Sequence, residues 1–186
     1  RDPKSFNRTH RPPSLAADAE GYEPESGAYW RGGVWAPTCY MVLRGLTEAG
    51  QHDLAYEIAR NHHGCVVDVF KDTGTFWENY SPEHVRQGDP AKADFVGWSG
   101  LPPIAVLLEY VFGLRPTDPL AGRLVWDIRL TDAFGVDDYP LGPRGLLSLH
   151  VKARSSETDE PQVSIGGNPG VEVEVRWRGG SKVVRT

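Results

Sequence analysis

At 186 residues, of which 39% are hydrophobic and 24% charged, the chain has room for one globular domain, or for one and a small second one. Its net charge of -5 and pI near 5.7 argue against nucleic acid or an anionic membrane surface as partner, because both reward a basic face. No apolar run is long enough to span a bilayer, and the best of them, around Ile104–Leu108, is broken by Glu109.

The chain begins at Arg1 and its only methionine is Met41, so the natural start is expected upstream and export stays open. The composition reads as soluble, and a cytoplasmic place is compatible with it. Two cysteines, Cys39 and Cys65, are too few for a disulfide framework and are expected to be buried thiols.

Residues 1–29 are rich in Pro, Arg, Ser and Glu without a sustained period, which predicts an extended loop. From Val34 to Ala49 the pattern turns helical. Pro37 fits the first turn, Tyr40, Leu43 and Leu46 recur near a 3.6 spacing, and Gly50 stands as the residue past the end. A second helix follows within a few residues, with Leu54, Ile58, Cys65, Val66, Val69 and Phe70 on its apolar side and Gly74 at its end. So short a connection predicts an αα-hairpin. Residues 75–93 read as a loop. A third helix is expected after Ser99 as N-cap, burying Leu101, Ile104, Ala105, Leu108, Val111 and Phe112, and stopped by Gly113 and Pro116.

After Pro119 the period changes from 3.6 to 2. Leu124, Trp126, Ile128 and Leu130 share one face, Leu146–Lys152 supplies another strand, and Val171–Trp177 alternates apolar and charged residues without a fault. Gly179-Gly180 then signals a hairpin into Lys182–Val184. The expectation is a mainly α region, 1–116, followed by a small antiparallel β tail, 117–186. Three helices leave a wide apolar side that further helices must cover, from a missing N-terminal portion or another chain.

Two clusters can carry chemistry. Glu78 stands among Trp77, Asn79 and Tyr80 on a loop between helices. Splitting an acetal needs an acid for the leaving oxygen and an ionised base for water on opposite sides of a sugar ring. The second cluster is Tyr29-Trp30-Arg31-Gly32-Gly33-Val34-Trp35. Its indoles can stack on a pyranose, its glycines admit a close ligand, and Arg31 can bind a carboxylate or a hydroxyl. Alone, a glutamate so placed reads more readily as an exposed loop residue, and the aromatics fit inward packing as well as they fit a sugar face.

Other features read blandly. His62 and His63 point about 100° apart on a helix, and His62 with Cys65 makes two ligands, which are not a metal site. Asp127, Asp132, Asp137 and Asp138 match no calcium loop. Nothing in the sequence calls for a cofactor or a metal. Arg8–Arg11 is a basic patch too small for nucleic acid, but its place before the sugar-like motif allows a part in shaping that site.

Taken together, Tyr29–Trp35, then Glu78-Asn79-Tyr80-Ser81-Pro82, then Phe95-Val96-Gly97-Trp98-Ser99-Gly100 resemble, in order and spacing, the glycoside hydrolase group of α-glucosidase I, mannosylglycerate hydrolase and trehalase. The resemblance covers about residues 6–114. It implies an (α/α)6 toroid, inversion at the anomeric carbon, a carbohydrate substrate, Glu78 as general base, and Tyr29, Trp30, Arg31, Gly32, Trp35, Trp77, Tyr80 and Trp98 around the sugar. Relatives often carry proline at the Gly33 position. The group's general acid is an aspartate lying before the Tyr-Trp-Arg-Gly motif, and none of Asp18, Asp53, Asp68, Asp72 or Asp94 stands in the matching place. A non-catalytic carbohydrate-binding module and a structural fragment remain open as alternatives.

Overall fold

The computed structural model describes residues 2–168 and 170–186. The chain forms two compact units, Arg1–Leu107 and Leu108–Thr186.

The first unit opens with turns and bends through residue 33 and then enters two helices, α1 (Ala36–Glu48) and α2 (His52–Thr73), which pack on each other. Pro37 sits in the first turn of α1, where its missing N–H breaks no helical bond. Ala36, Cys39 and Leu43 form the buried stripe of α1 at helical spacing, with Tyr40 and Leu46 half-buried beside it. In α2 the stripe is Ala55, Ile58, Ala59, His62, Cys65, Val66 and Val69. Asp53 in the first turn and Lys71 in the last complement the helix dipole, and the Gly74 N–H closes the end on the Phe70 carbonyl at 2.7 Å. Both cysteines are free and buried, and burial raises both thiols, Cys65 to about 11.

The third helical stretch departs from expectation. After a 3-10 turn at Trp98–Gly100 the chain winds as a π-helix over Pro102–Val111, beginning with the Val106 N–H on the Leu101 carbonyl at 2.9 Å. Ser99 does not cap it: its hydroxyl donates to the Trp77 carbonyl at 2.5 Å. Wider i→i+5 winding also rotates the buried face away from 3.6 spacing. Val106, Tyr110 and Val111 are inside, while Ile104 is 63% exposed.

The second unit holds seven strands among the described residues: β1 (Leu114–Asp118), β2 (Arg123–Asp127), β3 (Phe134–Pro140), β4 (Leu146–Val151), β5 (Val163–Gly167), β6 (Glu172–Trp177) and β7 (Gly180–Arg185). They form a four-stranded sheet, β1-β2-β6-β7, and a three-stranded sheet, β3-β4-β5. The alternation of β6 is as expected, with Val171, Val173 and Val175 buried, and Trp177 faces Gly180 across the β6–β7 hairpin. Leu114, Leu124, Trp126, Tyr139, Leu147, Leu149 and Val173 belong to one core that both sheets share.

The fold class therefore needs correcting. Among the described residues, three long helices and seven strands in two sheets make a mixed α/β chain, not a mainly α portion of an (α/α)6 toroid with a minor tail. The tail is also not purely antiparallel: β2 and β6 run parallel, Leu124 opposite Val173 and Trp126 opposite Val175. Parallel neighbours need a long crossover, and here the whole second sheet supplies it.

Gly113 is where the second unit is least tolerant of change. It has φ +78°, and a Cβ there would lie 2.0 Å from the Asp127 carbonyl oxygen, while its own carbonyl accepts the Asp127 N–H at 2.9 Å. Gly113→Ala combines left-handed strain with a backbone clash that no side chain can relieve. It is expected to destabilise the protein by more than about 2 kcal/mol, read from the urea midpoint. An unshifted midpoint contradicts this account.

Candidate active site

Two distant stretches meet through the backbone. The Val34 N–H donates to the Tyr80 carbonyl at 2.8 Å, and the Tyr80 N–H returns to the Val34 carbonyl at 3.0 Å. This bridge lays the loop before α1 against the loop after α2. Behind it Val34, Val66, Val69 and Tyr80 form a small core, with Phe76 and Trp77 packed on it. On the other side of the second loop the Glu78 N–H donates to the Lys92 carbonyl at 2.9 Å, and the Gly88 N–H to the Asn79 carbonyl at 3.1 Å. Glu78 is thus held in a bend braced on both sides by backbone hydrogen bonds rather than in a free loop.

Its half-buried carboxylate accepts the Tyr29 hydroxyl on Oε1 at 3.2 Å, and its own carbonyl accepts the Trp98 indole N–H at 2.9 Å. The three motifs of the sequence therefore converge on one residue. Around it the aromatic rings form a cluster. Trp30 lies flat on Trp35, with centroids 4.2 Å apart and an 8° interplanar angle, and Tyr29 meets Trp35 edge-on at 4.6 Å. Trp98 approaches Trp35 at 6.0 Å and Phe95 at 4.7 Å.

The eight residues expected around a sugar fall into separate groups. Trp30 and Trp98 present ring surface to solvent, 52% and 37% exposed, while Trp35 is 1% exposed beneath Trp30. Trp35 donates its indole N–H to the Tyr29 carbonyl at 3.1 Å, so it forms the floor of the cluster. Tyr80 is buried, and its hydroxyl accepts the Trp77 backbone N–H at 3.3 Å. Trp77 is half-buried, its indole bonded to the Thr73 hydroxyl at 3.1 Å. Arg31 is exposed and donates to the Gly21 carbonyl at 2.7 Å, and Gly32 is packed against the Tyr22 ring.

Among the described residues, cavities border Trp30 and Trp77. One of about 440 Å³ is lined by Phe6, Arg11, Pro13, Trp30, Val42 and Ile58 among others; one of about 470 Å³ by Glu25, Trp77, Arg86, Gln87 and Asp89 among others. Glu78 lines neither.

Several supporting residues have structural roles that their place in the sequence does not reveal. Asn79 is fully buried and donates to the Pro90 carbonyl at 2.9 Å; Ser81, also fully buried, donates to the Glu25 carbonyl at 2.8 Å. The Glu83 carboxylate accepts Arg8 at 2.5 Å and the Tyr22 hydroxyl at 2.6 Å. Burial alone would raise the Glu83 carboxyl, but these bonds outweigh it and hold it below its ordinary value. His10, from the basic patch, pairs with His62 at 2.7 Å and donates its backbone N–H to the Pro82 carbonyl at 2.8 Å. Only the patch's position hinted at this, since the partners lie more than 50 residues away.

Among the described residues no helix is long and apolar enough to cross a membrane. Residues 1–99 match the family described as the mannosylglycerate hydrolase MGH1-like glycoside hydrolase domain. A probable mannosyl-oligosaccharide glucosidase of Schizosaccharomyces pombe is 34% identical over 83 residues, 39% of this chain and 10% of that protein. Alpha-glucosidase 2 of Arabidopsis thaliana is 32% identical over 91 residues, 44% of this chain and 11% of that protein. An uncharacterized protein of Borreliella burgdorferi is 24% identical over 155 residues, 74% of this chain and 32% of that protein. The chain thus spans between a tenth and a third of the length of these relatives. With the match running through the bridged loops, the first two motifs and the third as far as Ser99, the chain belongs to the MGH1-like glycoside hydrolase domain family.

Proposed function

We propose that this chain carries the water-activating side of an inverting glycoside hydrolase site, with Glu78 as general base. The observation that carries the reading is a half-buried carboxylate tied to the Tyr29 hydroxyl and held at its backbone by Trp98, in an aromatic cluster whose Trp30 and Trp98 present ring surface to solvent. Such a group can take a proton from water while indoles hold the sugar ring against it. Trp30 and Trp98 are the sugar-contacting rings in this reading, and Trp35, Trp77 and Tyr80 keep them in place. The name of the Arabidopsis relative, alpha-glucosidase 2, favours an α-linked sugar as substrate.

The other half of the reaction is a proton for the leaving oxygen. An inverting pair needs its two carboxyl groups roughly 6.5–9.5 Å apart, with water between base and sugar. An aspartate on further polypeptide of the same protein takes that role, and the same polypeptide supplies the wall facing Glu78. The 186-residue chain alone is therefore expected to show no glycoside turnover, and measurable hydrolysis by it contradicts the division of labour. For the complete enzyme the test is the configuration of the sugar at release, followed by proton NMR on fresh product. An α-linked substrate should yield the β anomer first; an α anomer at release rejects Glu78 as a base acting on water by inversion.

A further inference from the structure

Ala28 and Tyr29 both have positive φ, 32° and 66°. A bulky side chain in that region is an outlier that persists only where its surroundings force it, and such outliers gather where a side chain must be aimed. Here the forcing is visible. The Gly27 carbonyl accepts both the Arg31 N–H at 3.0 Å and the Gly33 N–H at 3.2 Å, and the Gly27 N–H closes on the Glu23 carbonyl at 3.1 Å. A Cβ on Gly27 would lie 2.3 Å from the Gly33 nitrogen, and one on Gly33 would lie 2.3 Å from the Tyr29 carbonyl oxygen, so two glycines are needed for the loop to close this tightly. The Glu23 carboxylate binds the Ser26 hydroxyl at 2.6 Å and its N–H at 2.8 Å, bonds that hold it at about 2. Tyr29 is then clamped by its carbonyl, which accepts the Trp35 indole N–H, and by its ring, set at 89° to that of Trp35 with centroids 4.6 Å apart. All of this leaves its hydroxyl on Glu78 Oε1.

We infer that Tyr29 is a positioning residue for the base: its hydroxyl ties down Oε1 of Glu78 and so leaves Oε2 as the oxygen that meets water. This rests on the reading of Glu78 as base. It assigns Tyr29 to the carboxylate rather than to the sugar, and it gives the strained loop a purpose. A carboxylate fixed at one oxygen and at its own backbone keeps a single orientation, and misplacement of a reacting group by about 1 Å can cost a hundredfold in rate. Burial and the bond to Glu78 raise the Tyr29 phenol above its ordinary value, as expected where the acceptor is an anion.

Two measurements test it. In the chain carrying [ζ-13C]tyrosine, the Tyr29 resonance is identified by its loss in Tyr29→Phe and titrated in the parent and in Glu78→Gln. Removing the anion should lower the Tyr29 midpoint toward about 10, and an unmoved midpoint overturns the contact. In the complete enzyme Tyr29→Phe keeps the ring packing and should lower kcat about 10- to 100-fold with little change in KM, whereas Trp30→Phe should act mainly through KM. The failures are distinguishable. If Glu78→Gln stays active, the base assignment falls and this inference with it. If Glu78→Gln is dead while Tyr29→Phe turns over normally, only the role of Tyr29 is lost.

Discussion

Glu78→Gln in the complete glycosidase is expected to reduce turnover by about 10²- to 10⁴-fold, the span general-base catalysis contributes, while the sugar still binds. The substitution keeps size and shape. A glutamine at 78 can still accept the Tyr29 hydroxyl, and the Glu78 backbone bonds to Trp98 and Lys92 do not involve its side chain. What it removes is the ability to take a proton from water. Trp30 and Trp98, which offer the ring faces, are untouched, so calorimetric affinity for the sugar should stay within a few-fold of the parent. Single-turnover kinetics at saturating substrate isolate the chemical step from binding. Near-normal turnover rejects Glu78 as the base; lost binding together with lost turnover assigns it to holding the sugar instead.

Mild acid should unfold the first unit before its carboxylates protonate. His10 and His62 are fully buried, face each other at 2.7 Å, and have no hydrogen-bond partner on their outer nitrogens, Nδ1 of His10 and Nε2 of His62, among the described residues. Burial first, and then the charge of His62, keeps His10 well below the ordinary histidine value; burial, and then His63, lowers His62 to about 3. Both are therefore neutral when folded. The unfolded chain takes up their protons below about pH 6.5, so it binds more protons than the native state and stability falls with pH. The loss starts near pH 6.5 and grows by about 1.4 kcal/mol per pH unit for each imidazole, continuing for His62 down to about pH 3. Against a typical total of about 5–15 kcal/mol this is large. Denaturation midpoints followed by tryptophan fluorescence should drop steeply between pH 7 and 5. A flat profile over that range refutes the neutral pair. Because His10 also holds the Pro82 carbonyl and its ring lies 5.5 Å from Tyr80, the segment carrying Glu78 should loosen in the same transition.

Legibility in the sequence followed the range of the interactions. The α1 and α2 stripes and the β6 alternation are local periods that record burial, so their positions are readable to within a few residues, with Phe70, 41% exposed at the end of α2, falling outside its stripe. The π-helix was not, because an apolar run of this length does not say how its turns are wound, and Ile104 came out exposed as a result. Strands β1, β3 and β5 were missed for a related reason. Pro116 and the Gly166-Gly167 pair look like breakers, and only a partner strand (Leu124 opposite Pro116, Leu147 opposite Gly167) turns such segments into sheet. Helical periods show in the sequence and those strands do not, so the sequence by itself reads as mainly α.

By itself the sequence determined the two local helices, the alternating strands, and the three motifs whose order marks the glycoside hydrolase family. Each depends on residues near one another in the chain. The tertiary structure decided that β2 and β6 run parallel, that Trp35 lies beneath Trp30 instead of beside it, and that Tyr29, not a more distant polar group, reaches Glu78. It also decided that His10 and His62 close a buried pair under the same segment. Those outcomes rest on hydrogen bonds and ring contacts between residues whose spacing in the chain leaves no periodic trace, and only folding brings their partners within reach.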